Sequence, residues 1–241
     1  MSLRATVFSV FAVCLGAAAN AHAHEFLGSV DAVEPSVRYV LNIEGSSPDY
    51  ILILFPGGDG VLNAHMEAGN LRYRKRTNFL LRARDFIVDK DYATVATDAT
   101  HDPERFKALV RHIKNDYPAA EIHLVATSRG TEHAMKLAPE IEKEVSGIIY
   151  TATMASVASA PIGQLRLRQL FVHHVDDPCR STPYRVVRKA ADKFDIELVS
   201  MRGGESTGKP CQPFSQHGFN GLEQKTVEAI KQWIESRGNR W

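Results

Sequence analysis

Charge of one sign is what this chain most plainly lacks. Its 29 Lys and Arg residues nearly cancel 28 Asp and Glu, a formal net of +1 over 241 residues, so no whole-molecule field draws it to nucleic acid or to an anionic membrane surface. Cysteine is scarce as well, with three in all, too few for a disulfide scaffold and odd in number. The chain carries no heptad array, low-complexity tract or internal repeat of fixed period. It also has no apolar run of the ~20 residues that cross a bilayer. What remains, at 44% hydrophobic and 24% charged residues, is an ordinary globular composition able to bury a sizeable core. Partners must therefore be sought at a local site.

Residues 1–23 read as a secretory signal peptide. Arg4 is the charged start, Thr6 to Ala19 is an apolar stretch of about 14 residues, short of a bilayer span, and Ala21-His22-Ala23 is an A-x-A cleavage site. Cys14 lies inside the apolar stretch instead of at its end, which argues against a lipid anchor. The expected mature protein is one domain over 24–241, periplasmic or secreted, with no integral membrane association. Arg4 is the only charge in the leader, so the mature chain balances 28 basic against 28 acidic residues.

Hydrophobic patterning sets the fold class. Val37 to Ile43 alternates apolar and polar residues as a half-exposed strand does, and Gly45-Ser46-Ser47-Pro48-Asp49 then breaks it, which predicts an edge hairpin. Tyr50 to Phe55 is continuously apolar, as suits a strand buried on both faces of a parallel sheet, and it ends in Pro56-Gly57-Gly58-Asp59-Gly60. Further buried runs are Ala93 to Thr97, Ile122 to Thr127, Ile148 to Tyr150, Leu165 to His174 and Ile196 to Met201. Helical periodicity fills the gaps at Phe79 to Val88, Pro103 to Asp116, Thr131 to Leu137, Pro183 to Asp192 and Leu222 to Ser236. This alternation predicts an α/β fold, a doubly wound, mostly parallel sheet with helices on both faces and one or two antiparallel edge strands in front. Ligands bind such sheets at the carboxyl ends of the strands.

Three features sit on those ends. Ser128 directly follows one buried run and directly precedes a helix, in Ala126-Thr127-Ser128-Arg129-Gly130. A serine on so sharp a turn needs small residues two positions to either side, and Ala126 and Gly130 supply them, with Ala126 standing where the G-x-S-x-G pattern has glycine. Ser128 could instead merely cap the helix. A hydroxyl nucleophile requires a base, and the base an orienting carboxylate, in the chain order serine, acid, histidine. Among downstream histidines, His133 falls inside the following helix and is expected at the surface, while His173 and His174 end a strand and are expected in the core or at the rim. His217, in a loop before the last helix, is the expected base. Asp177 is the favoured acid, followed by Pro178, with Asp176 the alternate. Backbone N–H groups of Arg129 and of Gly58 or Asp59 are the expected oxyanion donors. No Gly-Lys-Ser/Thr follows the glycine-rich loop, so it is no phosphate cradle. A metal shared by His173, His174, Asp176 and Asp177 is disfavoured because adjacent strand residues face opposite ways.

Together these residues resemble the α/β-hydrolase superfamily: a Gly-rich loop after the third strand, an elbow serine, an acid-bearing strand end and a His-Gly-Phe loop before the last helix, over roughly residues 37 to 236. The resemblance implies a Ser128, Asp177, His217 triad and no cofactor or metal. The segment from Asn78 through Asp98 is similar to exported bacterial members. Phe55-Pro56 stands where many members have His-Gly. Only about fifteen residues separate Tyr150 from Leu165, too few for a large lid, which favours a small-molecule acyl substrate over a lipid interface. Arg72, Arg74, Lys75 and Arg76 are expected to form a solvated face, with an anionic substrate as the alternative. The expected activity is a serine hydrolase acting on a carboxylic ester or thioester through an acyl-enzyme. A peptidase or acyltransferase on the same residues, or an inactive binding protein, are the alternatives.

The odd cysteine disappears when Cys14 leaves with the leader. Cys179 and Cys211 then meet an oxidising compartment, where a bridge between them would tie the acid loop to the base loop.

Overall fold

The computed structural model describes residues 23–236. The predicted leader and its Cys14 therefore lie outside the described residues, apart from Ala23. The strands are β1 (His24–Val30), β2 (Val37–Ile43), β3 (Tyr50–Phe55), β4 (His65–Glu67), β5 (Asn70–Arg72), β6 (Tyr92–Thr97), β7 (Glu121–Thr127), β8 (Gly147–Thr151), β9 (Arg168–His174) and β10 (Glu197–Met201). The helices are α1 (Phe79–Arg82), α2 (Arg84–Ile87), α3 (Pro103–Asp116), α4 (Arg129–Ile141), α5 (Tyr184–Phe194) and α6 (Glu223–Glu235).

Eight strands form one sheet in the order β1-β2-β6-β3-β7-β8-β9-β10. From β6 onward every pairing is parallel, and β1 and β2 are antiparallel at one edge. Side-chain alternation then divides the core. Ile51, Ile53 and Phe55 of β3 join Leu124, Tyr150 and Phe171 beneath α3, α4 and α5. Leu52 and Leu54 join Val125, Ile149 and Val172 beneath α1, α2 and α6. A strand covered on both faces can be apolar throughout, which is why the continuous runs marked the sheet's centre.

Departures from the sequence reading have local causes. The break at Gly45 to Asp49 is no hairpin. β2 pairs with β1 and β6, and the chain crosses over so that β3 lies beyond β6. The edge hairpin is β1 with β2, two antiparallel strands in front as expected, although no residue range was predicted for β1. The helix expected over Phe79 to Val88 divides at Ala83 into two four-residue pieces. The segment read as a basic loop contains the small hairpin β4-β5, closed by Ala68 and Gly69, both at positive φ (47° and 76°), as a tight two-residue turn demands. Between β8 and β9 there are two short 3-10 turns, Ala155–Ser159 and Pro161–Gln164, and no inserted lid. Among the described residues no helix is long and apolar enough to cross a membrane.

Candidate active site

Ser128 links β7 to α4 with φ 51° and ψ −128°, a strained turn for a residue bearing a Cβ. Its side chain makes no capping hydrogen bond, which removes the helix-capping alternative, and its Oγ lies 3.1 Å from Nε2 of His217. The small neighbours have a steric reason. Ala126 pairs with Phe55 in the sheet and is fully buried. A Cβ on Gly130 would come within 2.4 Å of the Phe55 carbonyl oxygen and 2.9 Å of that of Pro56. Position 126 has room for a methyl group and position 130 has none.

His217 occupies a 3-10 turn, Gln216–Gly218, and is about 5% exposed. Its Nδ1 is 3.0 Å from Asp177 Oδ2. The Asp177 carboxylate is fully enclosed. One oxygen accepts from the Cys179 N–H at 2.9 Å, and the other accepts from Thr182 Oγ1 at 2.8 Å and lies 3.3 Å from His173 Nε2. Burial alone would raise its pKa, but hydrogen bonds from His173 and His217, the charge of His217 and the Cys179 N–H hold the carboxyl well below the usual range. It is held as an anion. Asp176, by contrast, is exposed to solvent.

The two strand histidines diverge as the pleat requires. Nδ1 of His173 accepts the Thr153 N–H at 3.1 Å, so the proton must sit on Nε2, which faces Thr182 O at 2.9 Å and Asp177. Likewise Nδ1 of His174 accepts the Asp176 N–H and its Nε2 donates to Gly203 O, away from Asp177. The His133 expectation is corrected. This ring is half-buried, packed against His101 with centroids 3.8 Å apart and close to the Gly60 turn, where a Cβ would stand 3.9 Å from it. Burial and the neighbouring His101 push its pKa down to about 4.

A cavity of about 420 Å³ opens over Ser128 and His217, lined also by Gly57, Gly58, Arg74, Lys75, Asn78, Phe79 and Pro213. Of the expected oxyanion donors, Gly58 lines it. Asp59 and Arg129 do not, and the Asp59 carboxylate holds Lys75 at 2.7 Å and Arg74 at 3.2 Å. Hydrogen bonding by Lys75 and by the Val61 N–H pulls the Asp59 pKa down to about 2. Arg129 begins α4, so its N–H is one of the donors a helix leaves without an internal partner. Within the basic run, Arg74 and Lys75 face the cavity, whereas Arg72 pairs with Glu67 and Arg76 lies over the Tyr73 ring.

Cys179 and Cys211 form a disulfide with Cα atoms 4.6 Å apart, and Cys211 borders the cavity. Arg82, which the sequence reading passed over, braces the base loop. Its guanidinium donates to Gly218 O at 2.5 Å and Thr77 O at 2.9 Å and pairs with Glu223 at 2.8 Å. Thr182 and Asn78 were missed too. Partners separated by up to 141 residues leave no periodic signal, and the one local hint was that Asn78 directly precedes a helical pattern, where caps belong.

No family model matches this sequence, and no curated protein matches it. Solved structures do. An α/β serine hydrolase without lid from Xanthomonas campestris aligns with a TM-score of 0.60 at 10% identity, over 87% of this chain and 94% of that one. A dienelactone hydrolase from Anabaena variabilis aligns at 0.59 and 14% identity, over 89% and 96%. A thermophilic esterase from Thermogutta terrifontis aligns at 0.58 and 10%, over 89% and 99%. With the sheet order and the near-complete coverage of each, these likenesses show that the chain has the fold of the α/β-hydrolase superfamily, in a form without a lid.

Proposed function

We propose that the protein is a serine hydrolase that cleaves a carboxylic ester or thioester through an acyl-enzyme. The observation that carries this is the continuous chain Ser128 Oγ, His217 Nε2 to Nδ1, Asp177 Oδ2, with links of 3.1 and 3.0 Å. In the first step the Ser128 oxygen attacks the acyl carbon while its proton passes to His217 Nε2, and the carbonyl π pair moves onto oxygen. Asp177 stabilises the imidazolium and fixes its orientation. Return of that pair expels the alcohol or thiol, which takes the proton from His217, and water repeats the sequence to release the acid. The N–H groups of Arg129 and Gly58 would hold the oxyanion. A cavity with no lid inserted above it suits a small soluble acyl substrate, and neighbours described as hydrolases and an esterase support the same chemistry. A disulfide beside the site fits an exported protein, periplasmic or secreted.

Ser128→Ala is expected to abolish both turnover of a p-nitrophenyl acyl ester and labelling by a fluorophosphonate probe. Undiminished labelling would refute the assignment.

A further inference from the structure

We propose that the side-chain amide of Asn78 is an oxyanion donor, acting beside the backbone N–H groups of Arg129 and Gly58. The inference rests on the serine-hydrolase reading and deepens it. Asn78 immediately precedes α1, and its Oδ1 accepts the Leu80 N–H at 3.1 Å. That bond settles which end of the amide is which, since a carbonyl oxygen must face the N–H and the NH2 group must face the other way. The other way is the cavity, which Asn78 lines together with Ser128, Gly57 and Gly58.

The amide's reach is visible at Gly57. The point where a Cβ on Gly57 would stand is 3.0 Å from Ser128 Cβ and 3.5 Å from Asn78 Nδ2. Serine, oxyanion loop and amide therefore converge on one spot. Among the described residues Nδ2 has no other hydrogen-bond partner, so both its protons are free for a ligand. Its position is rigid at both ends, because the cap holds the oxygen and Phe79, the next residue, is buried against Phe219 of the base loop with ring centroids 4.7 Å apart. A preorganised donor next to the nucleophile, with its acceptor half already used, is suited to the charge that develops when Ser128 attacks. Among the described residues the cations that line the cavity, Arg74 and Lys75, are both engaged by Asp59.

Capping and oxyanion binding separate cleanly by substitution. Serine and aspartate both accept the Leu80 N–H as caps, yet neither offers an NH2 group. Asn78→Ser is expected to keep the melting temperature within a few degrees and to keep KM, while kcat on a p-nitrophenyl ester falls by about 100-fold, as for loss of one oxyanion donor. Affinity for a trifluoromethyl ketone, whose hemiketal oxygen is an oxyanion, should fall by the same factor. Asn78→Asp should lose more, since its carboxylate faces the developing charge. Asn78→Gln, which restores an amide on a longer arm, should recover part of kcat. Wild-type kcat and ketone affinity in Asn78→Ser would overturn the inference alone. A loss confined to stability or KM would overturn it as well, by assigning Asn78 a capping role only. If wild-type protein neither turns over esters nor labels with fluorophosphonate, the hydrolase reading falls and takes the inference with it.

Discussion

Removing the Cys179–Cys211 bridge in a Cys179→Ala, Cys211→Ala double variant should weaken the fold and the site by separable amounts. The bridge spans a sequence separation of 32, and the chain-entropy relation for a loop of that length predicts a loss of ~3.7 kcal/mol at 25 °C. Alanine avoids burying a serine hydroxyl at position 179, which is 3% exposed. At about 2–4 °C per kcal/mol for a domain of this size, the melting temperature should fall by roughly 7–15 °C. The site should loosen even where the protein stays folded. Cys179 supplies the N–H that Asp177 Oδ1 accepts. Cys211 begins the stretch whose Pro213 carbonyl packs so closely on Gly218 that a Cβ there would meet its oxygen at 2.0 Å. Cutting the bridge frees the acid loop from the base loop, so kcat should fall well below the melting range while KM changes little. Calorimetry and ester turnover on the oxidised wild type and the double variant, at one pH, supply both measurements. A melting shift under about 3 °C, less than roughly 1.5 kcal/mol, would refute the entropic reasoning. Unchanged kcat would refute the claim that the bridge positions Asp177 and His217.

Two other perturbations follow from the packing. Gly130→Ala should cost about 1–3 kcal/mol or more by overpacking and should depress kcat, because its Cβ meets the backbone at Phe55 and Pro56 where the oxyanion loop begins; wild-type melting and turnover would contradict this, whereas Ala126→Gly should leave activity largely intact. His123 is 1% exposed; among the described residues neither ring nitrogen has a hydrogen bond, the Glu121 carboxylate standing 3.7 Å from Nε2, and burial, aided by the charge of Arg168, pushes its pKa down to about 4. Because the folded value lies below the unfolded one, stability is full above pH ~6.5 and declines as the pH falls toward ~4, by about 3.5 kcal/mol in total at ~1.4 kcal/mol per unit. Denaturant titrations from pH 7 to 4 should show that slope reduced in His123→Phe, and an equal slope would remove His123 as its source.

The sheet was legible because burial leaves a local trace. Uninterrupted apolar runs such as Tyr50 to Phe55 and Ile122 to Thr127 marked strands covered on both faces, and the 3.6-residue period of Pro103 to Asp116 marked α3. Ser128 was legible too, since a strand-turn-helix with Ala126 and Gly130 around it is a contiguous string.

Amino-acid order alone therefore determined the α/β architecture, the elbow at Ser128 and the sequence of serine, acid and histidine along the chain. Tertiary structure decided which carboxylate turns inward, since Asp176 and Asp177 are neighbours with the same chemistry and only the packing of Thr182, His173 and His217 around one of them distinguishes the two. It also decided that His133 is half-buried and that Arg74, Lys75 and Asn78 line the cavity. The physical reason is the same in each case. Periodicity records which face of an element is buried, whereas a site is assembled from loops whose contacts join residues far apart in sequence, and no local pattern encodes where two loops will meet.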